Sequence, residues 1–256
     1  MEILDSIPPA LLKLKNPPKK LYFKGNKALL NMPKIAVVGS RKISQYSKNL
    51  ITNLCSTLKN YGICVVSGGA IGCDIAAHKA SLPYTIAVFA NGLNIIYPKA
   101  NASILSEIEK NALILSEYKE NEPPFRYRFL ERNRIVVGLC DAIVIAQADI
   151  NSGSMSSAKI AKELGIPIYV FPQRIDESSG TNSLLKFGNA TLLDDFDELG
   201  AKFGNKSLIN YQKDEILNFI KTNSNLQDCL NRFGNKIYEY ELLGKIDIIG
   251  LNVSIK

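Results

Sequence analysis

The sequence predicts an α/β fold: a doubly wound, mostly parallel sheet followed by a small winged-helix-like C-terminal domain. Three observations carry that reading. Six short, β-branched runs between residues 35 and 171 lack polar alternation, as strands covered on both faces do. Longer segments with helical spacing, such as YSKNLITNLCSTLKN, separate most of them. After about residue 203 the alternation stops and a helix-rich pattern takes over.

The predicted strands, in order, are IAVV (35–38), ICVV (63–66), TIAVF (85–89), ALIL (112–115), AIVIA (142–146) and PIYVF (167–171). Strands alternating with helices build a parallel sheet through crossover connections. LYFKG (21–25) adds a strand ahead of these and ATLL (190–193) one behind. The acid-rich DDFDE (194–198) reads as a helix start, where carboxylates meet the positive end of the dipole. FGNKSLINYQK (203–213) reads as a linker, which sets the domains at 1–205 and 206–256. Beyond it, DEILNFIK, NLQDCLNRF and NKIYEYELLGK read as three short helices and IDIIGLNVSIK as a hairpin. That module favours a packing or partner surface over insertion into a major groove.

The chain has 256 residues, 46% apolar and 21% charged, which excludes disorder and low-complexity structure. A net charge of +7 favours an anionic partner. Residues 1–44 hold nine basic and two acidic residues, whereas residues 206–256 hold seven and six, so a basic surface belongs to the front and middle of the chain. Cys55, Cys64, Cys73, Cys140 and Cys229 are odd in number and form no C-x-x-C pair, which argues against a disulfide framework or a zinc knuckle. No run approaches the length of a membrane span, and the N-terminus lacks the pattern of a signal peptide. The expected location is cytoplasmic, with no membrane partner.

In an open parallel sheet, ligands sit beyond the carboxyl ends of the strands, where helix N-termini aim unpaired N–H groups at one crevice. Three such loops stand out. Gly39, Ser40 and Arg41 follow the first parallel strand; Ser67-Gly68-Gly69-Ala70-Ile71-Gly72 follows the second; Ser152, Gly153 and Ser154 open a helix after 142–146. Any one of them serves turn geometry equally well, but together on one sheet edge they describe a phosphate-binding crevice. Neither G-x-G-x-x-G nor G-x-x-x-x-G-K-[ST] occurs, so hydride transfer and ATP hydrolysis lose their support.

The stretch Phe125 to Arg134 packs four arginines and three aromatics into ten residues. Guanidinium groups pair with phosphates and flat rings stack unpaired bases, the combination that single-stranded nucleic acid requires. The opposing reading is a helix whose arginines are tied to acids and whose rings are core, and at least one residue of each kind is expected to serve structure. Catalytic constellations are scarce. His78 is the only histidine and is expected to bond Asp74 one helical turn away, Asp74 in turn capping the helix. No catalytic residue, metal site or cofactor is predicted.

The motifs VVGSR (37–41), SGGAIGCDIAAH (67–78), NGLNIIYPKAN (91–101), LSEY (115–118), ERNRIVVGL (131–139), SGSMSSA (152–158) and GTNSLL (180–185) resemble, in order and spacing, the DNA-processing protein A (DprA/Smf) family. The resemblance runs from about Ile7 to Leu193. It implies an extended Rossmann-like domain that binds single-stranded DNA, acts as a homodimer and loads the RecA recombinase onto DNA taken up in natural transformation. Catalysis and nicotinamide cofactors are not implied, and double-stranded DNA stays open as a further partner. Carried over, the family's pocket takes in Gly39, Ser40 and Arg41, Gly68 and Gly69, Arg126, Phe129, Arg132, Asn133 and Arg134, and Ser152, Gly153 and Ser154. Cys73, Gln147, Ser157 and Gln173 depart from the family pattern. The competing function is a nucleotide-processing hydrolase of the lysine-decarboxylase-like Rossmann group. Those enzymes share a PGGxGTxxE loop with a working Glu, whereas SGSMSSAKIAKE has no acid before Glu163.

Overall fold

A computed structural model describes residues 2–206, 215–242 and 244–255. The chain divides into two compact units, Met1–Leu208 and Ile209–Lys256.

The first unit is a sheet with helices on both faces. Its strands are β1 (Glu2–Ile3), β2 (Tyr22–Gly25), β3 (Lys34–Val38), β4 (Cys64–Ser67), β5 (Thr85–Phe89), β6 (Leu113–Ser116), β7 (Ala142–Ile145), β8 (Ile168–Val170) and β9 (Thr191–Leu192). They lie side by side in the order β1-β2-β6-β5-β4-β3-β7-β8-β9. From β6 to β9 every neighbouring pair is parallel. The two outermost strands on the other side run antiparallel, with Tyr22 opposite Ser116 and Glu2 opposite Phe23.

Successive residues of a strand point to opposite faces, and β3 shows the consequence. Ala36 and Val38 enter the core on one face; Ile35 and Val37 enter the core on the other. The latter is closed by α1 (Gln45–Asn60), α2 (Cys73–Ser81) and α7 (Phe196–Phe203). In α1 the Ser44 hydroxyl accepts from the Ser47 amide and caps the first turn, while Ile51, Leu54, Cys55 and Leu58 form the buried stripe. The other face carries α3 (Ala102–Asn111), α4 (Arg126–Gly138), α5 (Gly153–Glu163) and α6 (Ser179–Lys186). Asp195 caps α7 by accepting from the Glu198 amide, so DDFDE is a helix start.

β3 is the topological switch point: β4 lies on one side of it and β7 on the other. The loops leaving β3 and β7 therefore diverge and open a crevice at their carboxyl ends. The five cysteines are buried and free. No helix among the described residues is long and apolar enough to cross a membrane.

The second unit holds α8 (Glu215–Thr222), α9 (Leu226–Phe233), α10 (Lys236–Leu242) and a hairpin of β10 (Ile246–Ile249) and β11 (Asn252–Ile255). Asn225 caps α9, and Ile216, Ile220, Cys229, Ile237, Ile246 and Val253 make its core. Residues 207–213 of the expected linker lie outside the described residues.

Candidate nucleic-acid interface

A cleft of about 850 Å³ opens at the switch point. Its walls come from the loops after β3, β4, β5 and β7 and from one face of α4. The three glycine loops meet there as the sequence suggests. Gly39, Ser40, Arg41, Gly68, Ser152, Gly153 and Ser154 line it, together with Arg126, Phe129, Arg132 and Asn133 of α4.

The loop after β3 is held by its backbone. Ser40 donates its amide to the Gln147 carbonyl at 2.8 Å, and its own carbonyl accepts from the Cys73 amide at 3.1 Å. The Gln147 side chain accepts from the Ser44 amide and donates to the Glu177 carbonyl, so it stitches three loops together. Arg41 is exposed, makes no ion pair among the described residues, and carries its guanidinium 5.8 Å from the Phe129 ring centre. Phe129 is partly buried, and the Tyr97 ring lies 5.7 Å from it, tilted by 43°. One ring is thus near both a cation and a second aromatic, with Tyr97 itself 45% exposed.

α4 sorts the basic-aromatic stretch by its 100° turn per residue. Arg126, Phe129, Leu130, Asn133 and Val136 recur at helical spacing and face the cleft. Arg128 turns away, bonded to Glu122 at 2.7 Å and lying over the rings of Tyr118 and Phe125. Arg134 does not reach the cleft; it pairs with Glu117 at 2.7 Å. Gly69 also falls outside the lining, because its carbonyl is turned back to accept from Asn101 Nδ2 at 2.9 Å. These two residues correct the expected pocket: one is an ion pair within the fold, the other a turn behind the wall.

Arg132 lies beneath the floor rather than on the surface, 5% exposed, and donates to the Val88 carbonyl. Its guanidinium occupies the space a Cβ on Gly68 would need, so the bare backbone of Gly68 is what admits it. Burial pushes the Asp74 carboxyl up and the Arg132 guanidinium down, each opposed by the charge of the other. Two polar atoms of the lining, Arg132 Nε and Ser152 Oγ, are buried with no hydrogen-bond partner among the described residues. Ser152 stands at the N-cap of α5 without capping it, beside amides that carry the positive end of the helix dipole.

Asp74 and His78 differ from the sequence expectation. The N-cap of α2 is Gly72, and Asp74 accepts from the Ala70 amide at 3.3 Å. His78 bonds not Asp74 but the Gly68 carbonyl through Nε2 and Thr85 Oγ1 through Nδ1, at 2.7 Å for the latter. A carbonyl only accepts, so Nε2 carries a proton, while the single proton of the Thr85 hydroxyl is shared between Nδ1 and the Val65 carbonyl, 3.0 Å away. Burial is the main cause that lowers His78 from the ordinary 6.5 to about 4.

Between pH 6.5 and 4 the unfolded chain therefore binds the His78 proton and the fold does not, so this contribution to stability falls on acidification, by about 3 kcal/mol in all. Asp74, raised by burial, gives the opposite slope, so the informative quantity is a difference. The native chain and His78→Asn are expected to differ more in denaturant midpoint at pH 7 than near pH 4.5. A pH-independent difference would refute the neutral buried imidazole.

Tyr97, Leu130, Asn151 and Ser156 line the cleft without having been predicted. The signal for Tyr97 was available: it lies in a loop after a parallel strand, the same criterion that selected the glycine loops. Among the described residues no group of three or more His, Cys, Asp or Glu could hold a metal.

The family model for DNA recombination-mediator protein A matches residues 3–204. The chain is 39% identical to the DNA processing protein DprA of Streptococcus pneumoniae over 189 residues, 72% of this chain and 67% of that one. It is 36% identical to the protein Smf of Escherichia coli over 187 residues, 71% of this chain and 50% of that one, so the matched region spans only part of these relatives. DNA processing protein A from Helicobacter pylori, whose structure describes a single-stranded DNA binding mode, superposes with a TM-score of 0.77 at 44% identity, covering 78% of this chain and 94% of that one. The S. pneumoniae structure gives 0.74 at 38% identity, covering 78% and 71%.

Proposed function

This chain belongs to the DNA recombination-mediator protein A family, and from that premise we propose that it holds single-stranded DNA in the switch-point cleft, without chemistry on it, and passes it to a RecA-type recombinase. It works in the cytoplasm as a homodimer, and residues 206–256 form a separate winged-helix-like partner module. The observation that carries this reading is the convergence on one open cleft of two exposed guanidinium groups, Arg41 and Arg126, with the rings of Phe129 and Tyr97 and the N-terminus of α5. Phosphates meet the two exposed arginines and the amides at the N-terminus of α5; a base stacks on Phe129 or Tyr97. The one carboxylate of the lining, Asp74, is buried, so the accessible surface presents no acid to repel a backbone or to act as a general base.

Counterion release makes the test direct. Titration of a single-stranded oligonucleotide against salt is expected to give a log–log slope steeper than about −1, with roughly −0.7 for each phosphate neutralised. A flat titration would sink the proposal, and turnover of nucleoside monophosphates would favour the hydrolase instead. Phe129→Ala is expected to weaken binding by about 1–3 kcal/mol with little change in slope, since it removes a stacking surface and no charge.

A further inference from the structure

Residues 6–73 contain eleven lysines and arginines and no aspartate or glutamate. Part of that charge is already used. Lys24 pairs with Glu109 at 2.7 Å, Lys27 with Asp5 at 3.3 Å, and Lys34 donates to the carbonyls of Leu30 and Met32. Lys13, Lys15, Lys19 and Lys20 are different: all four are exposed and have no ion pair among the described residues. The segment that carries them is anchored. Leu11, Leu14, Pro18 and Leu21 are buried, and the lysines occupy exposed positions between these anchors.

The anchors fix where the charge lies. A Cβ on Gly138 would touch the side chains of Leu11 and Leu14, so the segment packs on the C-terminal end of α4. Arg126, at the other end of that helix, lines the cleft. Thirteen residues at 1.5 Å each put the two ends about 18 Å apart. None of the four lysines forms an ion pair with a carboxylate of the packed elements among the described residues, and Arg134 and Glu117 there neutralise each other.

We infer that Lys13, Lys15, Lys19 and Lys20 form a second nucleic-acid surface, at the end of α4 remote from the cleft, that grips the sugar-phosphate backbone and ignores the bases. The residue types support backbone contact alone. An ammonium is a point charge without the fork that reads a planar group, and the adjacent rings of Tyr22 and Phe23 are buried and unavailable for stacking. This surface rests on the reading that the partner is nucleic acid. Its occupant is the strand that leaves the cleft at the other end of the same helix; a separate strand, which presents the same phosphates, is the alternative that binding stoichiometry distinguishes.

The test uses the full chain with all four lysines changed to Gln, and a parallel variant with all four changed to Arg. Labelled oligothymidylates of about 4 and about 40 nucleotides separate a ligand that fills only the cleft, spanning about 14 Å at about 3.4 Å per nucleotide, from one that reaches further. The expected result is an affinity for the short probe within twofold of native and a loss of at least tenfold for the long one. Its salt slope should become shallower by up to about 0.7 per lysine, and the Arg variant should restore both. Unchanged binding of the long probe would overturn the inference. So would equal loss for both lengths, which would place the lysines in the cleft's general field. Stoichiometry separates the sources: one long strand per chain marks a continuous path, whereas a second bound short strand that the Gln variant loses marks a separate one. If the short probe fails to bind the native chain, the cleft reading falls while the long-probe comparison still decides the lysine surface.

Discussion

Arg41→Ala is expected to weaken single-stranded DNA binding by about 10- to 100-fold, the 1.5–3 kcal/mol of a hydrogen bond to a charged group, for every sequence alike. The guanidinium is exposed at the rim, free of ion pairs among the described residues, and 5.8 Å from the Phe129 ring. Its loss removes a phosphate partner and the cation that faces the stacking ring, so the salt slope should become shallower by about 0.7. Arg41→Lys separates the two contributions. It should recover the slope, because the charge is kept, but only part of the affinity, because the fork is lost. The measurement is fluorescence anisotropy over a salt series for the three proteins. Affinity and slope unchanged in Arg41→Ala would remove the rim from the binding surface and with it the assignment of the cleft.

Gly72→Ala is expected to destabilise the fold by on the order of 3 kcal/mol and to abolish tight binding at the same time. Gly72 has φ 83° and ψ −121°, a conformation open to glycine and strained for every other residue. A Cβ there would also stand 2.5 Å from the carbonyl oxygens of both Ser40 and Arg41. Backbone cannot rotate out of the way as a side-chain tip can, so the loop bearing Arg41 must move. Gly165 supplies the control: its φ is also positive, at 68°, but a Cβ would meet nothing within 4 Å. Gly165→Ala should therefore cost only the conformational penalty, about 1 kcal/mol, and leave binding intact. Denaturant unfolding of both variants, read beside DNA binding, checks the pair. Similar stability losses would show that the Gly72 contact with the neighbouring loop yields easily.

Much of the fold is legible because buried parallel strands announce themselves. Runs such as TIAVF and AIVIA have no polar alternation, and each became a strand within one residue of its predicted ends. β1 escaped because two residues cannot show a period, and the reversed direction of β2 escaped because its partner β6 lies about ninety residues downstream. The glycine loops were legible for a topological reason: they follow parallel strands, so they share an edge. Within Phe125–Arg134 composition alone misleads. Four arginines in nine residues of one helix point in different directions, and acids at Glu117 and Glu122, outside the helix, take up two of them. Arg132 shows a further limit, since only the missing Cβ of Gly68 reveals room for a guanidinium beneath the floor.

The sheet ends on each side in a strand only two residues long, Glu2–Ile3 and Thr191–Leu192. Such stubs offer little unpaired backbone for another chain to extend, a common way in which globular proteins avoid polymerising edge to edge. Two copies of this unit gain little from pairing edge to edge, so any association is expected to run through their side chains. The specificity of that contact would then be set residue by residue, and single surface substitutions could dissolve it without disturbing the hydrogen-bonded ladder of either copy.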